Sequence, residues 1–237
     1  MEKFLNKIIC GDSYKLIKEL PDKSVDCIYT DVPYLYVNGG LGHSELSVRT
    51  AKKKLELKSI SNGIDYSILD EYKRVLKKVN IFIWCSKMQL LDIMNWAKDY
   101  YQDLLVWCKT NPTPQTNNVW LPDLEYCLHI REKGVMLNDG YELKSKYYIT
   151  PANKSDKDLF KHPTIKPLEL VKRHLLHATQ LNDIVLDTFM GSGTTAIACQ
   201  ETERQFIGFE IEQKWVDIAN DRLNKVDAYG QMSLFLR

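Results

Sequence analysis

The stretch Asn182–Glu210 constrains this chain more than any other. Ile184–Leu186 is a short apolar run closed by Asp187, and Phe189-Met190-Gly191-Ser192-Gly193 follows. Thr194–Glu201 carries helix-compatible apolar positions at Ala196, Ile197, Ala198 and Cys199, and Gln205–Phe209 is a second apolar run ending on Glu210. The order is strand, glycine turn, helix, strand, acid. Gly191, Gly193 and Ala196 satisfy G-x-G-x-x-G/A, with an acid about 20 residues further on, as a ribose-binding unit requires. Glycines let the backbone approach a ligand closely, and a carboxylate at the second strand's end can accept both ribose hydroxyls. A tightly packed βα turn explains the glycines alone equally well; the acid at that distance favours a nucleoside-bearing cofactor.

The rest of the chain repeats the same alternation. Short apolar runs at Lys7–Cys10, Val25–Thr30, Val79–Cys85, Gln102–Cys108 and Glu125–Ile130 read as strands. Tyr14–Leu20, Ile64–Lys78, Met88–Asp99, Leu168–Ala178 and Val216–Leu223 read as helices, the first capped by Asp12 or Ser13 and ended by Pro21. About seven strands alternating with helices give an α/β class with a mainly parallel sheet. No helix separates Gln102–Cys108 from Glu125–Ile130, so those two are expected to pair antiparallel.

A net charge of +1 makes the chain no polycation, so any nucleic-acid contact must come from a local patch rather than the overall field. Six scattered cysteines with no C-x-x-C point to reduced, buried thiols, not a disulfide framework or a zinc site. The N-terminal segment is broken by charges and no apolar stretch approaches the roughly 18 residues that span a bilayer. A soluble, cytoplasmic protein is expected. His174 and His177 lie three apart on a predicted helix, but no third ligand stands near them, so they are assigned to packing or surface and no metal is expected. Trp84 and Trp107 lie in strand runs and are assigned to the core.

A second constellation, Asp31-Val32-Pro33-Tyr34, closes the run Val25–Thr30. In open α/β sheets ligands bind beyond the carboxyl ends of strands. The exocyclic amine of a nucleobase is a poor nucleophile because its lone pair is delocalised into the ring. A carboxylate and a backbone carbonyl accepting its two N–H bonds would turn the nitrogen toward sp³ and aim the lone pair at an electrophilic methyl group. Asp31 and the Val32 carbonyl can supply those acceptors, Pro33 restricts Val32 to extended conformations, and Tyr34 offers a ring for stacking on an extruded base. An ordinary strand-end turn would use the same residue types.

Together the two constellations resemble the S-adenosylmethionine-dependent amino-methyltransferases of DNA in their circularly permuted (beta) arrangement. There a D/S/N-P-P-Y catalytic motif precedes an F-x-G-x-G cofactor motif, as Asp31–Tyr34 precedes Phe189–Gly193 here. Gly11-Asp12, Lys109–Pro114 and His162-Pro163-Thr164-Ile165-Lys166-Pro167 match further family motifs, and the resemblance runs over roughly residues 7–224. It implies a seven-stranded sheet, six strands parallel and one antiparallel, between helix layers. It implies that Asp187, Phe189, Gly191, Gly193 and Thr194 hold the cofactor's methionine part. Thr164 and Lys166 are then expected at its carboxylate, Glu210 at its ribose and Asp12 near its adenine. It implies that Asp31, the Val32 carbonyl, Pro33 and Tyr34 form the catalytic loop acting on DNA. Val32 replaces the family's first proline. The acceptor there is a carbonyl, which valine keeps, but stiffness is lost and an extra N–H must find a partner.

Aspartate in first position points to adenine N6; cytosine-N4 enzymes more often carry serine there. The resemblance places a small target-recognition segment at residues 131–161, where lysines interleave with Tyr141, Tyr147 and Tyr148. Residues 35–63 form a basic loop insert whose run Arg49–Lys58 reads equally as a DNA clamp over the active site or as a solvated charge run. Asn111–Trp120 could line the pocket for the extruded base. Homodimers are common in the resembling family. Competing readings are a cytosine-N4 enzyme, a methyltransferase-like DNA binder with a degenerate loop at Val32, a protein-glutamine methyltransferase and a nicotinamide-dependent oxidoreductase. The last requires a substrate domain after the nucleotide unit, and only a short stretch follows Glu210.

Overall fold

The computed structural model describes residues 1–35, 63–114, 118, 120–135, 137–138, 140–152 and 165–235, with side chains described as far as residue 225. The basic insert, apart from its end residues, lies outside the described residues, as does 153–161 of the expected recognition segment.

The strands are β1 (Lys7–Cys10), β2 (Cys27–Asp31), β3 (Asn80–Cys85), β4 (Tyr101–Lys109), β5 (Leu124–Arg131), β6 (Tyr147–Thr150), β7 (Ile184–Asp187) and β8 (Gln205–Glu210). The helices are α1 (Ser13–Leu16), α2 (Ile68–Val75), α3 (Leu90–Trp96), α4 (Leu168–Ala178), α5 (Thr194–Glu201) and α6 (Gln213–Phe235). The eight strands of the described residues form one sheet in the order β1-β8-β7-β2-β3-β5-β4-β6. Among the described strands only β5 runs against the rest, antiparallel to both β3 and β4. The expected β4–β5 pairing is present.

The sequence makes this sheet buried on both faces. Along β2 and β3, Ile28, Ile81 and Ile83 face one way, against Leu69, Tyr72 and Val75 of α2 and Ile93 of α3. Cys27, Tyr29, Phe82 and Trp84 face the other way, against Leu170, Val171 and Leu175 of α4 and Ala196 and Ala198 of α5. Period-2 alternation in strands whose two sides are both apolar demands a helix layer on each face.

Several bounds and one strand depart from expectation, two of these departures with evident local causes. The sheet has eight strands, not seven: β6 comes from the recognition segment and pairs parallel with β4 at the sheet edge, Val106 opposite Tyr147. Its four residues are β-prone, but they alternate between exposed and half-buried and stand among lysines, so no apolar run marks them. Helix α2 stops at Val75 rather than Lys78 because Leu76 turns extended and bridges to Val25, with Lys77 N donating to Val25 O at 2.9 Å. Helix α6 runs well beyond the expected Val216–Leu223. Among the described residues no helix is long and apolar enough to cross a membrane.

Candidate active site

Strands β7 and β8 carry one half of the site at their carboxyl ends. The Asp187 carboxylate accepts from Phe189 N at 3.0 Å and from the Thr195 hydroxyl at 2.6 Å, which ties the turn to the first residues of α5. Burial pushes the Asp187 carboxyl up to about 7, against the Thr195 and Phe189 bonds that favour the carboxylate. Glu210 is held at both oxygens: Gly191 N donates to Oε2 at 2.8 Å and Glu212 N to Oε1 at 3.0 Å. Each oxygen keeps a lone pair for a further donor. Burial raises this carboxyl as well, and the two amides oppose it. Asp12 caps α1 through Tyr14 N at 3.0 Å, and Phe189 meets the Tyr14 ring edge-on at 6.5 Å.

The glycines divide their duties. Gly191 (φ 53°) turns its amide onto Glu210. Gly193 (φ 84°) is glycine because α6 crosses it: a Cβ there would meet the Ala219 Cβ at 2.7 Å. At Gly193 helix packing decides, rather than ligand approach. Arg222 of α6 completes the clamp, donating to Ser192 O at 2.6 Å and Thr194 Oγ1 at 3.3 Å.

The second half stands at the end of β2. Val32 N donates to Trp84 O at 3.2 Å and its side chain is buried, so the extra N–H that valine brings extends the β2–β3 ladder by one rung. Pro33 O accepts from the Gln89 amide at 3.0 Å, fixing the loop from the side of α3. Lys166 reaches in from the segment before α4. Its Nζ bonds Asp31 Oδ2 at 2.5 Å, Glu125 Oε2 at 2.9 Å and the Tyr34 hydroxyl at 3.2 Å, above the Trp84 ring at 5.0 Å from its centroid. Lys109 binds the other Glu125 oxygen at 2.5 Å. The remaining oxygen of Asp31, Oδ1, is buried and has no hydrogen-bond partner among the described residues. Burial raises the Asp31 carboxyl and Glu125 adds to that, while Lys166 opposes. Burial also works to raise Glu125, but Lys166 and Lys109 outweigh it and hold that carboxyl at about 2.

One cavity of about 460 Å³ joins the two halves: Asp12, Glu210, Gly191 and Thr194 line one end, Asp31, Val32, Pro33, Tyr34, Lys109 and Glu125 the other. This volume lies in the ordinary range for a small-molecule site. Beneath it, Trp84 Nε1 donates to the Tyr29 hydroxyl at 3.0 Å, and that hydroxyl meets His174 Nδ1 at 3.2 Å. Burial holds the His174 ring at about 3, so it is a neutral packing residue, stacked on Phe82.

Every expected site residue among those described lines this cavity except Gly193, which acts behind the turn. Thr164 lies outside the described residues. Lys166 lines the cavity as well, and its ammonium engages the Asp31 and Glu125 carboxylates there. Glu125, Ile211 and Trp215 escaped sequence reasoning. Glu125 read as the polar first residue of a strand, and nothing local joins it to Lys166.

The profile of the N6/N4 methyltransferase family, described as DNA methylase, matches residues 25–221. The chain is similar to the Type II methyltransferase M2.LlaDCHI of Lactococcus lactis subsp. cremoris, with 30% identity over 94% of this chain and 91% of the relative. It is likewise similar to the Type II methyltransferase M2.DpnII of Streptococcus pneumoniae, with 30% identity over 92% and 90%. Among solved structures, the M1.HpyAVI-SAM complex superposes with a TM-score of 0.69 at 28% identity, covering 92% of this chain and 98% of that one.

Proposed function

This chain belongs to the DNA methylase family, and from that premise we propose that it moves a methyl group from S-adenosylmethionine to adenine N6 in DNA, on a base turned out of the helix. The observation that carries the reading is Asp31 Oδ1, a buried acceptor without a partner among the described residues, in the same cavity as the Glu210–Gly191 cradle.

The cradle fits the cofactor's chemistry: Glu210 is fixed at both oxygens yet can still accept two hydroxyls, and Asp12 and Trp215 flank the space beyond it. Bound there, S-adenosylmethionine supplies an electrophilic methyl carbon whose bond to sulfur breaks as the bond to nitrogen forms. The chain's own residues prepare the nitrogen. Asp31 Oδ1 and the Val32 carbonyl accept the two N–H bonds and free the lone pair. Asp31 then takes the proton that the methylated, cationic nitrogen must lose. Tyr34 stacks on the base.

Around this centre we place the recognition of DNA in residues 131–161, supported by exposed Tyr141 and Tyr147 beside Lys144 and Lys146 at the β6 edge. The order of the two motifs along the chain supports the permuted arrangement. A homodimer is supported by the exposed Met88, Leu91 and Met94 at α3, and sedimentation tests it. Cytoplasmic residence is supported by the free cysteines, four of them buried.

The test is transfer of label from methyl-labelled S-adenosylmethionine to unmodified duplex and single-stranded DNA by wild type and Asp31→Ala. Label in DNA with wild type alone supports the reading. Equal transfer by Asp31→Ala overturns the role of Asp31, and no transfer by wild type overturns the reaction.

A further inference from the structure

We propose that Glu125 is a positioning residue for methyl transfer: acting through Lys166, it keeps one oxygen of Asp31 free for the target amine. The inference rests on the methyltransferase reading above and adds a residue to it.

An ammonium has three donors, and Lys166 spends all three, on Asp31 Oδ2, Glu125 Oε2 and the Tyr34 hydroxyl. Glu125 is itself held from behind by Lys109 on β4. The result is a chain of alternating charge, Lys109–Glu125–Lys166–Asp31, that crosses from β4 through β5 to the end of β2 with no link longer than the 2.9 Å between Lys166 and Glu125. At its end stands Asp31 Oδ1, buried without a partner among the described residues. A buried acceptor left unpaired is costly, so something must keep the nearby ammonium from satisfying it. Glu125 does so by drawing Lys166 toward β5. Without that pull, Lys166 is free to bridge both Asp31 oxygens and compete with the amine.

The same geometry gives opposite electrostatic signatures. The groups that act on Asp31 are Lys166 before α4, Glu125 on β5, Tyr34 on its own loop, Asp187 on β7, Cys85 on β3, and Tyr29 and Cys127 below. Of these, Glu125 raises the Asp31 carboxyl and Lys166 lowers it. Glu125→Gln removes a negative neighbour and leaves the ammonium to Asp31 alone, so Asp31 ionises at lower pH. Lys166→Gln removes the positive neighbour, so Asp31 ionises at higher pH. A residue that merely supports the fold would move neither limb.

The experiment is single-turnover methylation of DNA across pH 4–9 with saturating cofactor, alongside titration of cofactor affinity. For Glu125→Gln the expected result is a loss of about 10- to 100-fold in transfer rate, the scale of a misplaced reacting group, with cofactor affinity unchanged and the acidic limb displaced to lower pH. Lys166→Gln is expected to displace that limb to higher pH. Glu125→Asp, which keeps the charge but shortens the reach, is expected to lose rate while the limb stays in place, and it carries the test should Glu125→Gln not fold. Wild-type rates in either Glu125 variant, or limbs that move together in Glu125→Gln and Lys166→Gln, overturn the inference while the methyltransferase reading stands. Absence of transfer by wild type overturns that reading and this inference with it.

Discussion

Replacing Val32 by proline would restore the motif of the resembling family, and the structure says it would harm this protein. Val32 N donates to Trp84 O at 3.2 Å, and Trp84 has no exposed surface. Proline deletes that donor and leaves the carbonyl without it, a penalty of about 1–3 kcal/mol. Stiffening of the unfolded chain returns about 0.4–1 kcal/mol. At the middle of each range the net is a loss of about 1.3 kcal/mol, or roughly 3–5 °C in Tm for a chain of this size. The acceptor proposed for the amine is the carbonyl of residue 32, which both residues possess, so turnover should be no higher than wild type. Urea unfolding and steady-state methylation of the Val32→Pro variant measure the two halves of the claim. Unchanged stability combined with severalfold faster turnover would refute it, and would show that the valine loop is a compromised one.

Gly193→Ala should destabilise by about 2–4 kcal/mol, since positive φ and a Cβ contact of 2.7 Å act together; Ala219→Gly in the same chain should recover part of that loss in urea unfolding, and full additivity would contradict the packing argument. Glu210→Gln removes a fixed carboxylate from the proposed ribose site and should weaken S-adenosylmethionine about 10- to 100-fold by calorimetric titration, the worth of a hydrogen bond to a charged group; unchanged affinity would move the ribose elsewhere. The Asp187 carboxyl is held at about 7 in the folded chain, well above its unfolded value. Between roughly pH 4 and 7 the native state therefore keeps a proton that the unfolded chain has released, and stability falls as pH rises through that window, by at most about 1.4 kcal/mol per pH unit from this group. Asp187→Asn should flatten that slope in urea unfolding without cofactor, and an unaltered slope would contradict the burial argument.

What the sequence made legible was local. Ile184–Glu210 announces its strand, turn, helix and strand because each is a contiguous run with punctuation at Gly191 and Gly193, and α4 and α5 keep their expected bounds for the same reason. The strand end at Asp31 was legible because Pro33 follows an apolar run. What stayed hidden depends on residues far apart in the chain. Lys166 finds Glu125 and Asp31 only once β5 reverses beside β3, and no spacing rule joins those positions. Gly193 reads as a ligand-facing glycine until Ala219 is seen against it. Strand β6 is too short for its alternation to stand out, and it exists because β4 offers an open edge. The partner of the Val32 N–H, which the missing proline put in question, is a carbonyl on the neighbouring strand.

The most direct test of the account identifies the methylated nucleoside. DNA of mixed sequence, incubated with the protein and methyl-labelled S-adenosylmethionine, would be digested to nucleosides and separated. The account predicts label in N6-methyladenine. Label in N4-methylcytosine would keep the chemistry of Asp31 and Val32 but contradict the base, and no label on duplex or single strands with cofactor binding intact would contradict the claim that this site transfers a methyl group at all.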